Sequence, residues 1–132
     1  MMKIYCDGGA RGNPGPAAAA FVVCDSEEKV IFKEARTIGN ATNNVAEYKA
    51  LIMALEWLAK NTTEASQIIL DSELVKKQMT GEYRIRDSAL QALATKAKSL
   101  EAQTPGVNYF HTSRAGNAEA DRLVNNALDS AF

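Results

Sequence analysis

The sequence predicts an α/β fold in which a mixed β-sheet carries helices on its faces. Three observations lead there. The first third of the chain holds three strand-like segments separated by turns. A long helical period then replaces the strand pattern. The remainder alternates short apolar strands with helices, an order that adds parallel strands to an antiparallel beginning.

The strand-like segments are residues 3–6, 17–24 and 30–37, the last two joined by the polar turn Asp25-Ser26-Glu27-Glu28-Lys29, so they read as a meander. Over 44–60 Leu51, Ala54, Leu55 and Leu58 share one side and Lys49, Glu56 and Lys60 fall largely elsewhere, the pattern of a helix capped by Asn43 or Asn44. Ile68-Ile69-Leu70 is apolar without alternation, which predicts a central strand covered on both faces. Helices are expected over 72–79, ended by Gly81, and over 88–101, started by Asp87 and stopped before Thr104-Pro105-Gly106. A strand over 107–112 precedes a last helix over 118–130.

With 132 residues, 46% hydrophobic and 23% charged, the chain reads as one globular domain over residues 1–132. Such a length buries on the order of two thirds of its unfolded surface, so no disulfide or structural metal is needed. Fifteen Lys and Arg against sixteen Asp and Glu give a formal net charge of -1. A nucleic-acid partner must therefore meet a local patch rather than a global positive field. Cys6 and Cys24 are too few and too far apart for a disulfide framework or a four-cysteine zinc site, and they read as small buried residues of a reducing cytoplasm. The opening residues run into a strand without a signal-peptide core, and the longest apolar run, 17–24, is far too short to span a bilayer. No membrane association is expected.

Four carboxylates stand out. Asp7 and Asp71 each follow an apolar strand segment, and the carboxyl ends of strands are where α/β sheets place ligands. Glu47 begins the series Glu47, Leu51, Ala54, Leu58, so an acid heads the sheet-facing stripe from the first turn of its helix. Asp121 does the same with Val124 and Leu128. One such acid alone would be a capping or helix-dipole residue. Four on an apolar background repel one another, and their desolvation costs several kcal/mol per ion unless cations neutralise them. A hard divalent cation with oxygen ligands meets that need, and Mg²⁺ is usually held by carboxylates together with substrate phosphate oxygens.

The stretches Asp7-Gly8-Gly9-Ala10-Arg11-Gly12-Asn13-Pro14-Gly15-Pro16, Thr42-Asn43-Asn44-Val45-Ala46-Glu47, Asp71-Ser72 and Asn117-Ala118-Glu119-Ala120-Asp121 closely resemble the type 1 ribonuclease H family, particularly its compact archaeal and bacterial branch. The likeness covers essentially the whole chain. It implies a ribonuclease H-like sheet of five strands in the order 3-2-1-4-5, the first three antiparallel, and hydrolysis of the RNA strand of RNA/DNA hybrids. It also implies catalysis by Asp7, Glu47, Asp71 and Asp121, which would hold two Mg²⁺ ions, with Mn²⁺ as a substitute. Contacts to the hybrid are implied for Gly8, Gly9, Arg11, Gly12, Asn13, Thr42, Asn43, Asn44 and Ser72. Double-stranded RNA is left open as a second substrate, and no obligate protein partner is implied.

The glycine-rich stretch lacks both G-K-[ST] and the G-x-G-x-x-G spacing, so a nucleotide-cofactor loop is disfavoured against a tight turn that lets backbone approach a nucleic-acid strand. Two departures from the family pattern stand out. Many relatives place a histidine in the loop before the last aspartate; here that loop is Thr112-Ser113-Arg114-Ala115-Gly116, and the single histidine, His111, falls in a predicted strand. Arg114 becomes the expected loop participant, with Asn117 as an auxiliary. Some bacterial relatives insert a basic helix where this chain has only residues 80–86, whose Tyr83, Arg84 and Arg86 would form a small phosphate patch. Rival readings are a resolvase- or integrase-like nuclease of related fold and a catalytically silent hybrid-binding module.

Overall fold

The computed structural model describes residues 1–131. Five strands, β1 (Met2–Ala10), β2 (Gly15–Cys24), β3 (Val30–Ala41), β4 (Ser66–Leu70) and β5 (Val107–His111), form one sheet in the order β3-β2-β1-β4-β5. β1 pairs antiparallel with β2, and β2 with β3, whereas β1–β4 and β4–β5 are parallel. The expected fold class and strand order are both present.

Four helices cover the sheet: α1 (Asn43–Asn61), α2 (Glu73–Met79), α3 (Ser88–Glu101) and α4 (Ala118–Ala131), the last preceded by a single 3₁₀ turn, Ala115–Asn117. β2 explains why both faces need cover. Its residues are apolar throughout, and alternate side chains point to opposite faces. Ala19, Phe21 and Val23 pack with α1, while Ala18 and Ala20 meet Val124 and Leu128 of α4. The alanines keep the α4 side shallow. α1 carries Leu51, Leu55 and Leu58 against the sheet, each with no exposed surface, and Ala50, Ile52 and Met53 are buried in the same core as Leu90, Ala94 and Ala97 of α3. A helix enclosed so completely is held by packing more than by propensity, and Leu55→Ala would cost about 2–5 kcal/mol. Among the described residues no helix is long and apolar enough to cross a membrane.

Several local expectations need correction. Thr42, not Asn43 or Asn44, caps α1: its Oγ1 accepts the Val45 N–H at 3.2 Å, and both asparagines lie inside the helix. Three positions separate Thr42 from Val45, the reach a short hydroxyl side chain needs. Ser72 caps α2 and Asp87 caps α3 in the same way. β4 alternates after all: Ser66, Ile68 and Leu70 are buried, while Gln67 and Ile69 are half-buried. β5 ends one residue early, at His111, and α4 ends one residue late. Cys6 and Cys24 are buried free thiols, as expected.

Candidate active site

The site begins where the two kinds of pairing part company along β1. The parallel ladder between β1 and β4 stops at Cys6–Leu70, but β1 runs on to Ala10 against β2. Asp71 therefore follows its strand, as expected, whereas Asp7 sits in mid-strand opposite Ala20, not after the strand. The physical reason is β2, which supplies hydrogen-bond partners past the point where β4 ends. Asp7 and Asp71 are each the next residue after that last ladder pair.

α1 crosses directly over this point. A methyl group on Gly8 would lie 2.2 Å from the Ala46 carbonyl carbon, so only glycine lets the start of α1 rest on β1. At Gly8 the missing side chain serves the packing of β1 on α1. Gly12, with φ +91°, does make the turn between β1 and β2. Resting on β1, α1 brings in Glu47, which lies in the helix's second turn rather than its first. From the other face α4 brings Asp121 in its first turn.

All four carboxylates line one open cleft of about 420 Å³, together with Gly8, Gly9, Ala10, Arg11, Asn43, Arg114 and Asn125, and with Val124 and Leu128 as its apolar wall. Burial above all, then the charges of Asp71 and Asp121, a hydrogen bond with Asp121 and the charge of Glu47, pushes Asp7 up to about 8. Burial raises Glu47 to about 7, with a smaller upward push from Asp71 opposed by the Ser72 hydroxyl. The Cys6 thiol is pushed up by burial and then by Asp7 and Asp71, which leaves it unreactive. Arg114 is the one cation paired with the cluster among the described residues, its Nη2 3.3 Å from Asp121 Oδ1. Its side chain is 81% exposed, so the pair contributes about 0–1 kcal/mol.

The remaining predicted residues are spread over the cleft and its rim, a neighbouring hollow, the exposed surface and the interior. Asn13 and Asn43 brace the rim: Asn13 Oδ1 accepts the Asn43 N–H at 3.0 Å, and Asn43 Oδ1 accepts the Ala10 N–H at 2.9 Å. The Asn13 oxygen is thus committed to the Asn43 backbone. Arg11 lines the cleft but is tied to Asp129 at 2.6 Å. Thr42 and Asn44 lie in a neighbouring hollow of about 290 Å³ with Asn13, Val45, Asp87, Ala89 and Leu90. Outside both hollows, Arg84 and Arg86 are exposed between α2 and α3, and Tyr83 turns to Lys77, whose Nζ stands 4.9 Å above its ring. His111 is exposed at the end of β5. Asn117 is buried beneath the cleft, with its Nδ2 donating to the Cys6 carbonyl at 2.7 Å. Sequence reasoning missed Asn125, whose Nδ2 donates to the Asp121 carbonyl at 3.0 Å and stands 3.4 Å from Asp121 Oδ2. Its i+4 spacing from Asp121 on the same helix face was the available signal.

The donor set fits a hard cation. Glu47 Oε2 is buried in the protein and has no hydrogen-bond partner, an expensive state for an oxygen unless a cation shares it. Among the described residues no three His, Cys, Asp or Glu side chains are arranged to hold an ion unaided. An open carboxylate set of this kind suits Mg²⁺, which keeps several waters and takes oxygens from a phosphate substrate.

An acidic cleft at the end of a 3-2-1-4-5 mixed sheet defines a class, and comparison with known proteins agrees with it. A family model described as reverse transcriptase-like matches residues 5–127. The chain is 42% identical over 127 residues to Ribonuclease HI of Halobacterium salinarum, covering 96% of this chain and 64% of that protein. It is 41% identical over 129 residues to the Bifunctional protein Rv2228c of Mycobacterium tuberculosis, covering 97% of this chain and 35% of that protein. It therefore spans about a third of the mycobacterial relatives' length. Among solved structures, RNase H1 from the halophilic archaeon Halobacterium salinarum is 40% identical with a TM-score of 0.94, over 98% of both chains. LC11-RNase H1 in complex with an RNA/DNA hybrid matches with the same identity and TM-score over 99% of both chains. The chain belongs to the type 1 ribonuclease H family.

Proposed function

We propose that the protein is a divalent-metal-dependent endoribonuclease that cleaves the RNA strand of RNA/DNA hybrids, with residues 1–132 as its catalytic domain. The observation that carries the reading is the convergence of Asp7, Glu47, Asp71 and Asp121 in one cleft with a buried, unpartnered Glu47 oxygen. The hybrid held by the similar LC11-RNase H1 supports the substrate class. Two buried free cysteines suit a cytoplasmic setting.

In this reading Asp7, Glu47, Asp71 and Asp121 hold Mg²⁺, or Mn²⁺ in its place, in a pair of ions. When bound, the metal supplies an activated water and stabilises charge on the leaving oxygen. The rest is done by the chain. Burial keeps Asp7 and one Glu47 oxygen in a setting of reduced dielectric where their attraction for a cation is strong. Asn125 and Arg114 orient Asp121 from two sides. The Asn13 amide donors, with backbone from Gly8, Gly9 and Gly12, face the minor groove, where only the RNA strand carries a 2′-hydroxyl. Thr42, Asn43, Asn44 and Ser72 line the hybrid's path, and Arg11, Arg84 and Arg86 supply positive charge beside it.

A labelled hybrid, double-stranded RNA and double-stranded DNA, each incubated with Mg²⁺ and with Mn²⁺, test the proposal. Endonucleolytic cutting of the RNA strand of the hybrid is expected, with all-DNA duplex spared. Cutting of DNA duplex within about tenfold of the hybrid rate would favour a related-fold nuclease, since a site built around a hydroxyl rejects substrates lacking it by far more. Binding without any cutting would favour a silent hybrid-binding module.

A further inference from the structure

The carbonyls at the end of the parallel β1–β4 ladder are taken by one short segment of the chain. Cys6 and Leu70 form the last ladder pair, and they immediately precede Asp7 and Asp71. The Thr112 N–H donates to the Leu70 carbonyl at 2.9 Å. The Asn117 side-chain Nδ2 donates to the Cys6 carbonyl at 2.7 Å. Residues 112–117 are thus bonded to both strands that present aspartates, and α4 starts at the next residue, carrying Asp121 one turn further on.

Asn117 is an odd choice for a residue that only fills space. It is 1% exposed, and its Oδ1 is buried without a hydrogen-bond partner. A half-satisfied amide packs less favourably than an apolar side chain of similar shape, so its donor must do something an apolar group cannot. The bond spans 111 residues of sequence and joins β1 to the start of α4. Nearby, a methyl group on Gly116 would lie 2.2 Å from Thr112 Oγ1, so the turn leading into Asn117 is also tightly packed.

We propose that Asn117 is a positioning residue that fixes the separation between Asp121 and Asp7, and so sets the geometry in which the cluster takes up metal. This deepens the ribonuclease reading and rests on it. Residues that orient ligands in this way typically change metal affinity or activity by about 10–100-fold when removed.

The experiment compares wild type, Asn117→Ala and Asn117→Ser, each also in an Asp121→Asn background. Mg²⁺ binding to the protein alone is read by calorimetry, and kcat and KM on a labelled hybrid are read at saturating Mg²⁺. Expected for Asn117→Ala are Mg²⁺ binding weakened and kcat lowered by about 10–100-fold, KM nearly unchanged, partial rescue in Asn117→Ser, and little further loss in the Asp121→Asn background. A lower melting temperature with unchanged Mg²⁺ binding and kcat would overturn the proposal. So would an undiminished loss in the Asp121→Asn background, or failure of both Asn117 variants to fold, since either makes Asn117 a stability residue. Wild type that leaves the hybrid uncut refutes the ribonuclease reading instead, and the Mg²⁺ calorimetry then decides the role of Asn117 by itself.

Discussion

The two ends of β1 treat a carboxylate in opposite ways. Lys3, Tyr5 and Asp7 alternate along the strand and share one face. At the Lys3 end, Glu28 accepts hydrogen bonds from Lys3 Nζ and Tyr5 Oη, and these partners hold it below the usual carboxylate range, the Lys3 bond contributing most. Tyr5 itself is pushed up to about 12 by burial and by Glu28. At the other end Asp7 is buried among three further acids and no cation pairs with it among the described residues. The first arrangement is what a fold does with an acid when stability alone decides. The second destabilises the fold, and it makes sense only where something outside the chain supplies the positive charge.

Substitutions should break this contrast most strongly at the cleft. Asp7→Asn, Glu47→Gln or Asp71→Asn is expected to lower hybrid cleavage by roughly three orders of magnitude or more, because each removes an anionic ligand of the proposed metal site. Asp121→Asn should lose less, and Glu28→Gln should stay within about twofold of wild type, as exposed surface changes do. Steady-state kinetics with circular dichroism as a folding control read all five. An intermediate effect is expected at the rim: Asn13→Ala should lower kcat/KM on the hybrid by about 1–3 kcal/mol, since it removes both the proposed donor to the hybrid and the brace on Asn43.

The pH dependence sharpens the same contrast. Asp7 and Glu47 are raised from an ordinary value near 4 to about 8 and about 7 in the folded protein. Between those values the folded state holds protons that the unfolded chain has released. The metal-free protein should therefore lose stability as pH rises from about 4 towards about 8. Melting curves without metal should show this fall, and Asp7→Asn should flatten it and melt higher near the top of the range. The smallest effect is expected at the exposed arginines. Arg84→Ala with Arg86→Ala should lower the slope of log affinity against log salt by roughly one to two, each phosphate contact contributing about 0.9. Filter binding across a salt series measures it.

Most of this was legible in the sequence, for physical reasons that also mark where reading failed. Hydrophobic period set each element, and the acids at Glu47 and Asp121 betrayed themselves by heading apolar stripes. The apolar pattern ends at Cys6 and so puts Asp7 just after the strand, yet pairing with β2 carries the strand on to Ala10. Backbone partners across a sheet leave no trace in a local pattern. Thr42 caps α1 while Asn43 Oδ1 accepts the Ala10 N–H, a contact between residues 33 apart. Asn125 and the buried bond of Asn117 are likewise long-range or packing facts. The apolar run makes Ile69 part of a doubly covered strand, but the face of β4 that carries Ile69 is only partly covered.

The most direct test of the cleft as a cation site is the melting temperature at about pH 8, where Asp7 is poised, with and without Mg²⁺. Wild type should gain stability on adding Mg²⁺, by about 2.7 kcal/mol at 100 times the dissociation constant, and lose the gain on chelation. Glu28→Gln should respond as wild type does, and Asp7→Asn should start higher and gain little. An unchanged wild-type melting temperature, or an equal gain in Asp7→Asn, would contradict a cation site built on Asp7 and its neighbours.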